Sequence, residues 1–258
     1  MSRFSWLKRR LAPLVETPFH PQWLVARARR GARDQIAAHA VDFVIDIGCG
    51  NRQPPENLPH CRRYLALDYP PTVALGYTGV PHVFGDAQCL PFSSNVADTV
   101  LLLDVLEHIP DPERALAEAV RVLRAGGTLV IQVPFLYPLH DAPHDYSRWT
   151  IHGLRALMIR NHLRIRVEGS HGSDIETATA LTVIAVTKSA IVLTETHPAA
   201  LLLMPLWAVL IPLINITGWL FDKLLSDSGF MPLSYHVVAQ KPISALEGAL
   251  AAPTLPTS

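Results

Sequence analysis

Residues 41–50, VDFVIDIGCG, constrain the fold more than any other stretch of the chain. A short β-branched apolar run stopped by glycine reads as a parallel strand buried on both faces, because a strand with one wet face would alternate apolar and polar residues. Gly48 and Gly50 flank a single residue, and a turn so poor in side chains lets backbone approach a nucleotide-like ligand closely. A glycine turn after a buried strand is often only a connection, so its meaning depends on the residues found at fixed intervals beyond it.

Four further apolar runs, at 64–67, 82–84, 99–103 and 128–133, are each followed by Asp, Gly or Pro and read as strands. Helical patterns fall between them. The clearest is 112–123, where Asp111 can cap, Pro112 suits the first turn, Leu116, Val120 and Leu123 share one face, and Gly126-Gly127 follows as a stop. A helix is expected at 151–162, a sixth strand at 163–168 and a seventh at 235–240. Alternating strands and helices with right-handed crossovers imply a parallel sheet whose ligand crevice lies at the strand carboxyl ends. The expected fold is therefore α/β: a doubly wound, Rossmann-like seven-stranded sheet with an apolar helical insertion between strands six and seven. A length of 258 residues suits one such core with attachments. These are a basic helical arm at 1–40, a core domain at 41–243 with the insertion at 170–231 inside it, and a flexible tail at 244–258 rich in Ala, Pro and Thr.

Charge excludes some partners. Lys plus Arg equals Asp plus Glu at 22 each, so no global field marks the chain for nucleic acid. The balance is local, however: Arg3, Lys8, Arg9, Arg10, Arg27, Arg29, Arg30 and Arg33 face only Glu16 in residues 1–33, so an anionic surface would meet this end first. Cys49, Cys61 and Cys89 have no metal-ligand spacing and form no even disulfide framework, which fits a reducing, cytoplasmic setting. Pro13, Glu16 and Pro18 interrupt the apolar run that a cleaved signal peptide would need.

The residues after the glycine turn supply the specificity. Asp68 ends the second strand about twenty residues on, where a carboxylate can accept from both ribose hydroxyls, although an N-capping Asp has the same appearance. Then come Gly85-Asp86-Ala87-Gln88-Cys89-Leu90-Pro91-Phe92, Asp104-Val-Leu-Glu107-His108 after the fourth strand, and Leu123-Arg-Ala-Gly126-Gly127 before the fifth. In this order DIGCG, LALD, GDAQCLPF, DVLEHIPDP and LRAGGTLVIQVP resemble the successive motifs of class I S-adenosylmethionine-dependent methyltransferases of the small-molecule and sugar branch. The resemblance covers roughly residues 40–168 and the last strand. It implies S-adenosyl-L-methionine as cofactor, with Gly48 and Gly50 at its methionine portion, Asp46 at its amino group and Asp68 at the ribose. It also implies Asp86 at the adenine amino group, Ala87 beside the ring, Leu90 or Phe92 as apolar walls, and Asp104 on the cofactor side. Arg52 stands where the family often has a third glycine. A dinucleotide dehydrogenase would need G-x-G-x-x-G for its pyrophosphate, and here the last position is Gln53. A methyltransferase-like binding protein without turnover is the non-enzymatic alternative.

Methyl transfer from a sulfonium is an in-line displacement, dependent on alignment and exclusion of water; a base helps only an acceptor that carries a proton. The segment 134–150, PFLYPLHDAPHDYSRWT, leaves the fifth strand at the ligand edge and carries His140, Asp141, His144, Asp145 and Tyr146. His140, His144 and Asp145 are the candidate catalytic residues; single side chains in such a loop also commonly just satisfy backbone. His140 and His144 are four apart, but Pro143 between them argues against a helical metal-ligand pair, so no metal site is assigned. His108 reads as helix-start structure.

Composition is 49% hydrophobic with a mean hydropathy of +0.22, high for a soluble enzyme. The excess sits at 199–221, AALLLMPLWAVLIPLINITGWLF, 23 residues without a charge, enough for about 35 Å of helix. Pro205 and Pro212 are expected to kink it, and Trp207 and Trp219 suit a membrane interface. The stretch 175–193 is also apolar apart from Glu176 and Lys188, so the two are expected to form a hairpin turning at 195–198. If the strands on either side, 163–168 and 235–240, are adjacent antiparallel strands of one sheet, only an even number of membrane crossings, or none, is allowed. Residues 175–225 are accordingly the candidate membrane contact, delivering a lipid-linked acceptor to a cytoplasmic, membrane-associated enzyme; a buried lid or a dimer helix is the competing interpretation.

Overall fold

The computed structural model describes residues 11–51, 58–70, 77 and 79–243 of the chain, apart from the side chains of 34 and 35. Arg52, the basic residues Arg3, Lys8, Arg9 and Arg10, and the tail 244–258 lie outside them. Contacts divide the chain into two compact units: 1–32, 136–138 and 170–233 form one, and 33–135, 139–169 and 234–258 the other.

The larger unit is built on a seven-stranded sheet of order β3-β2-β1-β4-β5-β7-β6. Its strands are β1 (Val41–Ile47), β2 (His60–Asp68), β3 (Val83–Phe84), β4 (Ala97–Leu103), β5 (Leu123–Pro134), β6 (Arg164–His171) and β7 (Ser234–Gln240). The first five run parallel, and β7 joins β5 antiparallel from Thr128↔Gln240 to Pro134↔Ser234. β1 sits centrally, buried continuously from Val44 to Ile47, Asp46 included, as a central parallel strand covered on both faces is. Helices α1 (Trp23–His39), α2 (Pro112–Val122) and α3 (Ile151–Arg160) accompany the strands, and Leu116, Leu154 and Leu157 pack with Ile45, Leu102, Ile131 and Val237 in one core. Asp111 caps α2 by accepting from the Arg114 amide at 3.1 Å, and Thr150 caps α3 through the Gly153 amide.

Boundaries differ from expectation where pairing outweighs local pattern. α2 ends at Val122, because Leu123 pairs with Ala97 and opens β5, so Gly126-Gly127 lies within the strand instead of closing the helix. There the Gly126 amide donates to Lys241 O and the Lys241 amide to Gly127 O, both at 2.9 Å, while Lys241 Nζ takes the carbonyls of Val120 and Leu123. β2 is likewise longer than the apolar run 64–67, since β1 offers it pairing from His60 onward.

The smaller unit contains the first turns of α1 and two long helices, α4 (Asp174–Thr196) and α5 (Met204–Leu224), joined through His197 and a 3₁₀ turn at Pro198–Leu203. This is the expected hairpin, turning where expected. Ser173 starts α4 by accepting from the Glu176 amide at 3.1 Å. Pro205 falls in the first turn of α5, where its missing N–H removes no helical bond, so it starts the helix; Pro212 lies inside. Gly218 lets the helices approach, since a Cβ there would meet Thr179 Oγ1 at 2.2 Å. Trp219 is not a free interfacial anchor: its ring stands 6.4 Å from that of Trp23, with the Arg27 guanidinium 5.9 Å away over it. Asn215, in the uncharged run, is fully buried, and its amide donates to Pro18 O at 2.7 Å and His20 O at 3.1 Å.

Both α4 and the span Pro198–Leu224 are long and apolar enough to cross a membrane, yet only 28% and 17% of their most apolar windows are buried within the chain. On α5 the exposed apolar side chains Leu206, Val209, Leu213, Ile216, Leu220 and Leu224 recur at helical spacing along one face.

Candidate cofactor and acceptor site

The turn after β1 is held by its backbone and one carboxylate. The Gly48 and Cys49 amides both donate to Leu67 O, at 2.8 and 3.2 Å, and the Gly50 amide donates to Asp68 Oδ2 at 2.9 Å. Gly48 and Gly50 have φ of +71° and +55°, conformations that side chains resist. A Cβ on Gly48 would meet Val105 Cγ2 at 2.5 Å, and one on Gly50 would meet the Tyr77 ring at 3.3 Å. The glycines therefore make room for Val105 and Tyr77, and the turn keeps a bare backbone of the kind that lets a ligand approach closely. Asp68 also accepts from the Tyr69 amide at 2.8 Å. Its carboxylate therefore organises the turn, and with about four lone-pair sites it retains capacity for hydroxyls. Asp46 lies buried beneath the turn and accepts from the Tyr64 hydroxyl at 2.6 Å.

Asp86 begins a tight loop in which its carboxylate accepts from the Gln88 amide at 2.8 Å and its carbonyl from the Cys89 amide at 3.0 Å. Ala87 and Phe92 are partly buried and Leu90 fully so. Three residues of α2 that the motifs did not single out hold this loop. Glu118 accepts from the Leu90 amide at 2.8 Å; Arg121 donates to Phe92 O at 2.8 Å and Leu90 O at 3.1 Å; Arg114 donates to Gln88 O at 2.9 Å. The Arg121 guanidinium keeps the Glu118 carboxyl below its ordinary pKa. The only signal of Glu118 and Arg121 in the sequence was their spacing of three on a helix. Asp104, just past β4, has φ +55° and accepts from Gln132 Nε2 with both carboxylate oxygens at 3.1 Å. A left-handed non-glycine residue at a strand end marks strain of the kind concentrated at functional sites.

The residues presented at this edge fit S-adenosylmethionine: bare backbone beside Val105, carboxylates at Asp68 and Asp86, and apolar Leu90 and Phe92. Carboxylates suit a nucleoside without phosphates and a cationic sulfonium, where a pyrophosphate would call for donors.

The candidate catalytic residues separate into two groups. His140 and Asp145 come together: the His140 amide donates to Asp145 Oδ2 at 3.0 Å and its Nδ1 stands 3.2 Å from the same oxygen. Arg148 grips Asp145 in a fork, with Nη2 at 2.8 Å from Oδ2, and holds this carboxyl well below the usual carboxylate range. His144 is exposed and turns its ring to the Tyr146 hydroxyl at 3.1 Å, leaving its carbonyl to accept from His108 Nδ1 at 2.6 Å. Asp141 accepts from Tyr77, whose ring also lies against Gly50, so Tyr77 ties the loop after β5 to the glycine turn.

His108 was expected to be helix-start structure; it occupies a 3₁₀ turn, Leu106–His108, with its ring edge-on to His140 at 4.7 Å between centroids. Beside both is Glu107, which sequence reasoning passed over. Its side chain is 0% exposed, its Oε1 stands 3.7 Å from His108 Nε2 and 3.9 Å from His140 Nε2, and burial pushes its pKa well above the ordinary value, aided by the nearby charge of Asp104.

Residues 45–131 match the methyltransferase domain family. Over 147 residues the chain is 40% identical to a demethylmenaquinone methyltransferase of Renibacterium salmoninarum, covering 52% of this chain and 59% of that protein. Over 106 residues it is 47% identical to the enzyme of the same name from Thermobifida fusca, covering 37% and 45%. The matched part thus spans about half the length of these relatives. An S-adenosylmethionine-dependent methyltransferase from Thermotoga maritima shares the fold with a TM-score of 0.50 at 15% identity, over 85% of this chain and 92% of that one. With its glycine turn, the Asp68 carboxylate and the Asp86 loop in family order, the segment 45–131 matches the methyltransferase domain family, in keeping with a class I S-adenosylmethionine-dependent methyltransferase.

Proposed function

We propose that this protein transfers a methyl group from S-adenosylmethionine to a hydroxylated ring carried on an apolar chain, a quinol in the class of the acceptors its relatives are named for. The observation that carries this reading is the edge at which Tyr77 joins two elements, its ring against Gly50 of the cofactor turn and its hydroxyl on Asp141 of the loop bearing His140 and Asp145. The cradle holds the donor, and the His140 loop meets the acceptor. Asp145, anchored by Arg148, holds the proton of a neutral His140 ring on Nδ1 and so presents Nε2 as an electron-pair donor. A ring hydroxyl that yields its proton to such a donor becomes an electron-rich oxyanion, and the negative charge raises the nucleophilicity of the acceptor toward the methyl group.

Attachment to a membrane by α4 and α5 belongs to the same reading. The exposed stripe from Leu206 to Leu224 gives an apolar face to lipid, and a two-helix element returns the chain to the side on which it began.

Two experiments test these halves. Full-length protein is incubated with methyl-labelled S-adenosylmethionine and a long-chain demethylated quinol in vesicles; label is expected in the extracted quinol. Cofactor binding without transfer to this or any other extractable acceptor would leave a binding protein without turnover. For attachment, full-length protein is expected in the membrane fraction through a high-salt wash and to be released by detergent, whereas a version with residues 175–230 replaced by a short polar loop stays in the supernatant. Monodisperse full-length protein without detergent would sink the membrane reading.

A further inference from the structure

We propose that Glu107, His108 and His140 form a binding site for one divalent transition-metal cation of the zinc type. One ligand atom from each of the three lies within 4.8 Å of the other two. They reach this point from adjacent parallel strands: Glu107 and His108 from the 3₁₀ turn after β4, His140 from the loop after β5.

The separations favour a cation over direct pairing. Glu107 Oε1 is 3.7 Å from His108 Nε2 and 3.9 Å from His140 Nε2. Both are too long for hydrogen bonds. They are close to the spacing of ligand atoms around a tetrahedral ion, which bonds of about 2.0–2.1 Å set at about 3.3–3.5 Å. Along these two edges a contraction of a few tenths of an ångström reaches that spacing, and the third lies within 4.8 Å. Glu107 itself is anomalous as a structural residue. Its side chain is 0% exposed, yet neither carboxylate oxygen has a hydrogen-bond partner among the described residues. A buried carboxylate left so is costly, and a cation between it and the imidazoles removes that cost.

Both imidazoles are set for coordination by their far sides. A carbonyl can only accept, so His108 Nδ1, at 2.6 Å from His144 O, carries the proton and the neutral ring directs its lone pair at Nε2 toward Glu107. His140 is oriented likewise by Asp145, itself fixed by Arg148. An outer acceptor on each ligating histidine is how metal sites orient their first ligands. The histidine side chains are 22% and 24% exposed, so an ion has a way in, and three protein ligands leave a fourth position for water or an acceptor oxygen. Two imidazoles and one carboxylate favour zinc-like ions over magnesium or calcium. A metal on His140 Nε2 occupies the atom that would otherwise take a proton, so the loaded site would act on an acceptor oxygen by coordinating it.

The test needs no acceptor, and its failure would leave methyl transfer standing. Full-length protein is stripped with chelator, then titrated with zinc chloride by calorimetry and, separately, with cobalt chloride by visible absorption. One equivalent of zinc and the intense absorption of tetrahedral cobalt are expected, and magnesium should not displace either. His108→Ala and His140→Ala should each weaken zinc binding by 100-fold or more, and Asp145→Asn by about 10–100-fold. Glu107→Gln, nearly isosteric, should weaken it while S-adenosylmethionine affinity shows the fold intact. His144→Ala should keep it, because only the backbone carbonyl of His144 takes part. Binding of well under one equivalent, or equal affinity in a His108→Ala/His140→Ala double variant, would overturn the proposal.

Discussion

Replacing Gly48 by Ala tests how the glycine turn after β1 is held. At φ +71° an alanine enters the left-handed region, at a cost of about 1–2 kcal/mol. Its Cβ would also stand 2.5 Å from Val105 Cγ2 and 3.0 Å from Cγ1. Val105 is β-branched and packed against the core, so it cannot swing aside freely. Overpacking of this kind costs about 1–3 kcal/mol. Together the two effects come to about 2–5 kcal/mol, or a fall in melting temperature of about 5–20 °C for a domain of this size. The terms separate in a double-mutant cycle, since Val105→Ala removes both clashing atoms. Gly48→Ala made in the Val105→Ala background should cost only the strain, so the two substitutions should couple favourably by about 1–3 kcal/mol. Urea unfolding of the four proteins gives the energies, and calorimetry with S-adenosylmethionine should show weakened binding in both alanine-48 variants. A Gly48→Ala protein within about 0.5 kcal/mol of the parent, or no coupling, would refute this account of the turn.

Asp68→Ala should weaken S-adenosylmethionine binding by about 10–100-fold, the worth of one or two hydrogen bonds to a charged acceptor; a folded variant with unchanged affinity would remove Asp68 from the ribose. His140→Ala should lower turnover by about 100-fold or more with little change in cofactor affinity, whereas His144→Ala, whose ring turns to Tyr146, should change turnover much less; the reverse order would exchange their roles. Because Arg121 depresses the Glu118 carboxyl in the native state, the stability that this group supplies is present above the unfolded value, about pH 4.3, and is lost as pH falls through the native value. Urea midpoints should therefore fall more steeply with acid below about pH 4.3 in the parent than in Glu118→Gln, and parallel curves would show that the pair contributes nothing.

The alternation of strands and helices, the glycine turn and the apolar hairpin were legible because each rests on neighbours in sequence. The run Val44–Ile47 is buried on both faces, as expected of such a run, and Asp111-Pro112 starts a helix with its own side chain. The extent of α2 was misjudged for a nonlocal reason: a helical face includes Leu123, but pairing with Ala97 takes that residue into β5. The acceptor side shows the same division. The loop bearing His140, His144 and Asp145 stood out by composition, but nothing within it distinguishes the two histidines. That distinction arises from Asp145 and Arg148 beneath one ring and Tyr146 beside the other.

By itself, then, the sequence determined the order of elements, the class of cofactor and the apolar character of residues 175–225, all carried by local periodicity and by motifs a few residues long. Only the tertiary structure decided that Glu107, 33 residues before His140 in sequence, faces it across the ends of two strands. It also decided that Arg121 and Glu118 hold the loop after Asp86 and that Tyr77 reaches Asp141. These contacts join residues whose separation in sequence carries no periodic signal, and parallel pairing of β4 with β5 brings their following loops to one edge of the sheet, where the chemistry of each residue depends on its neighbours.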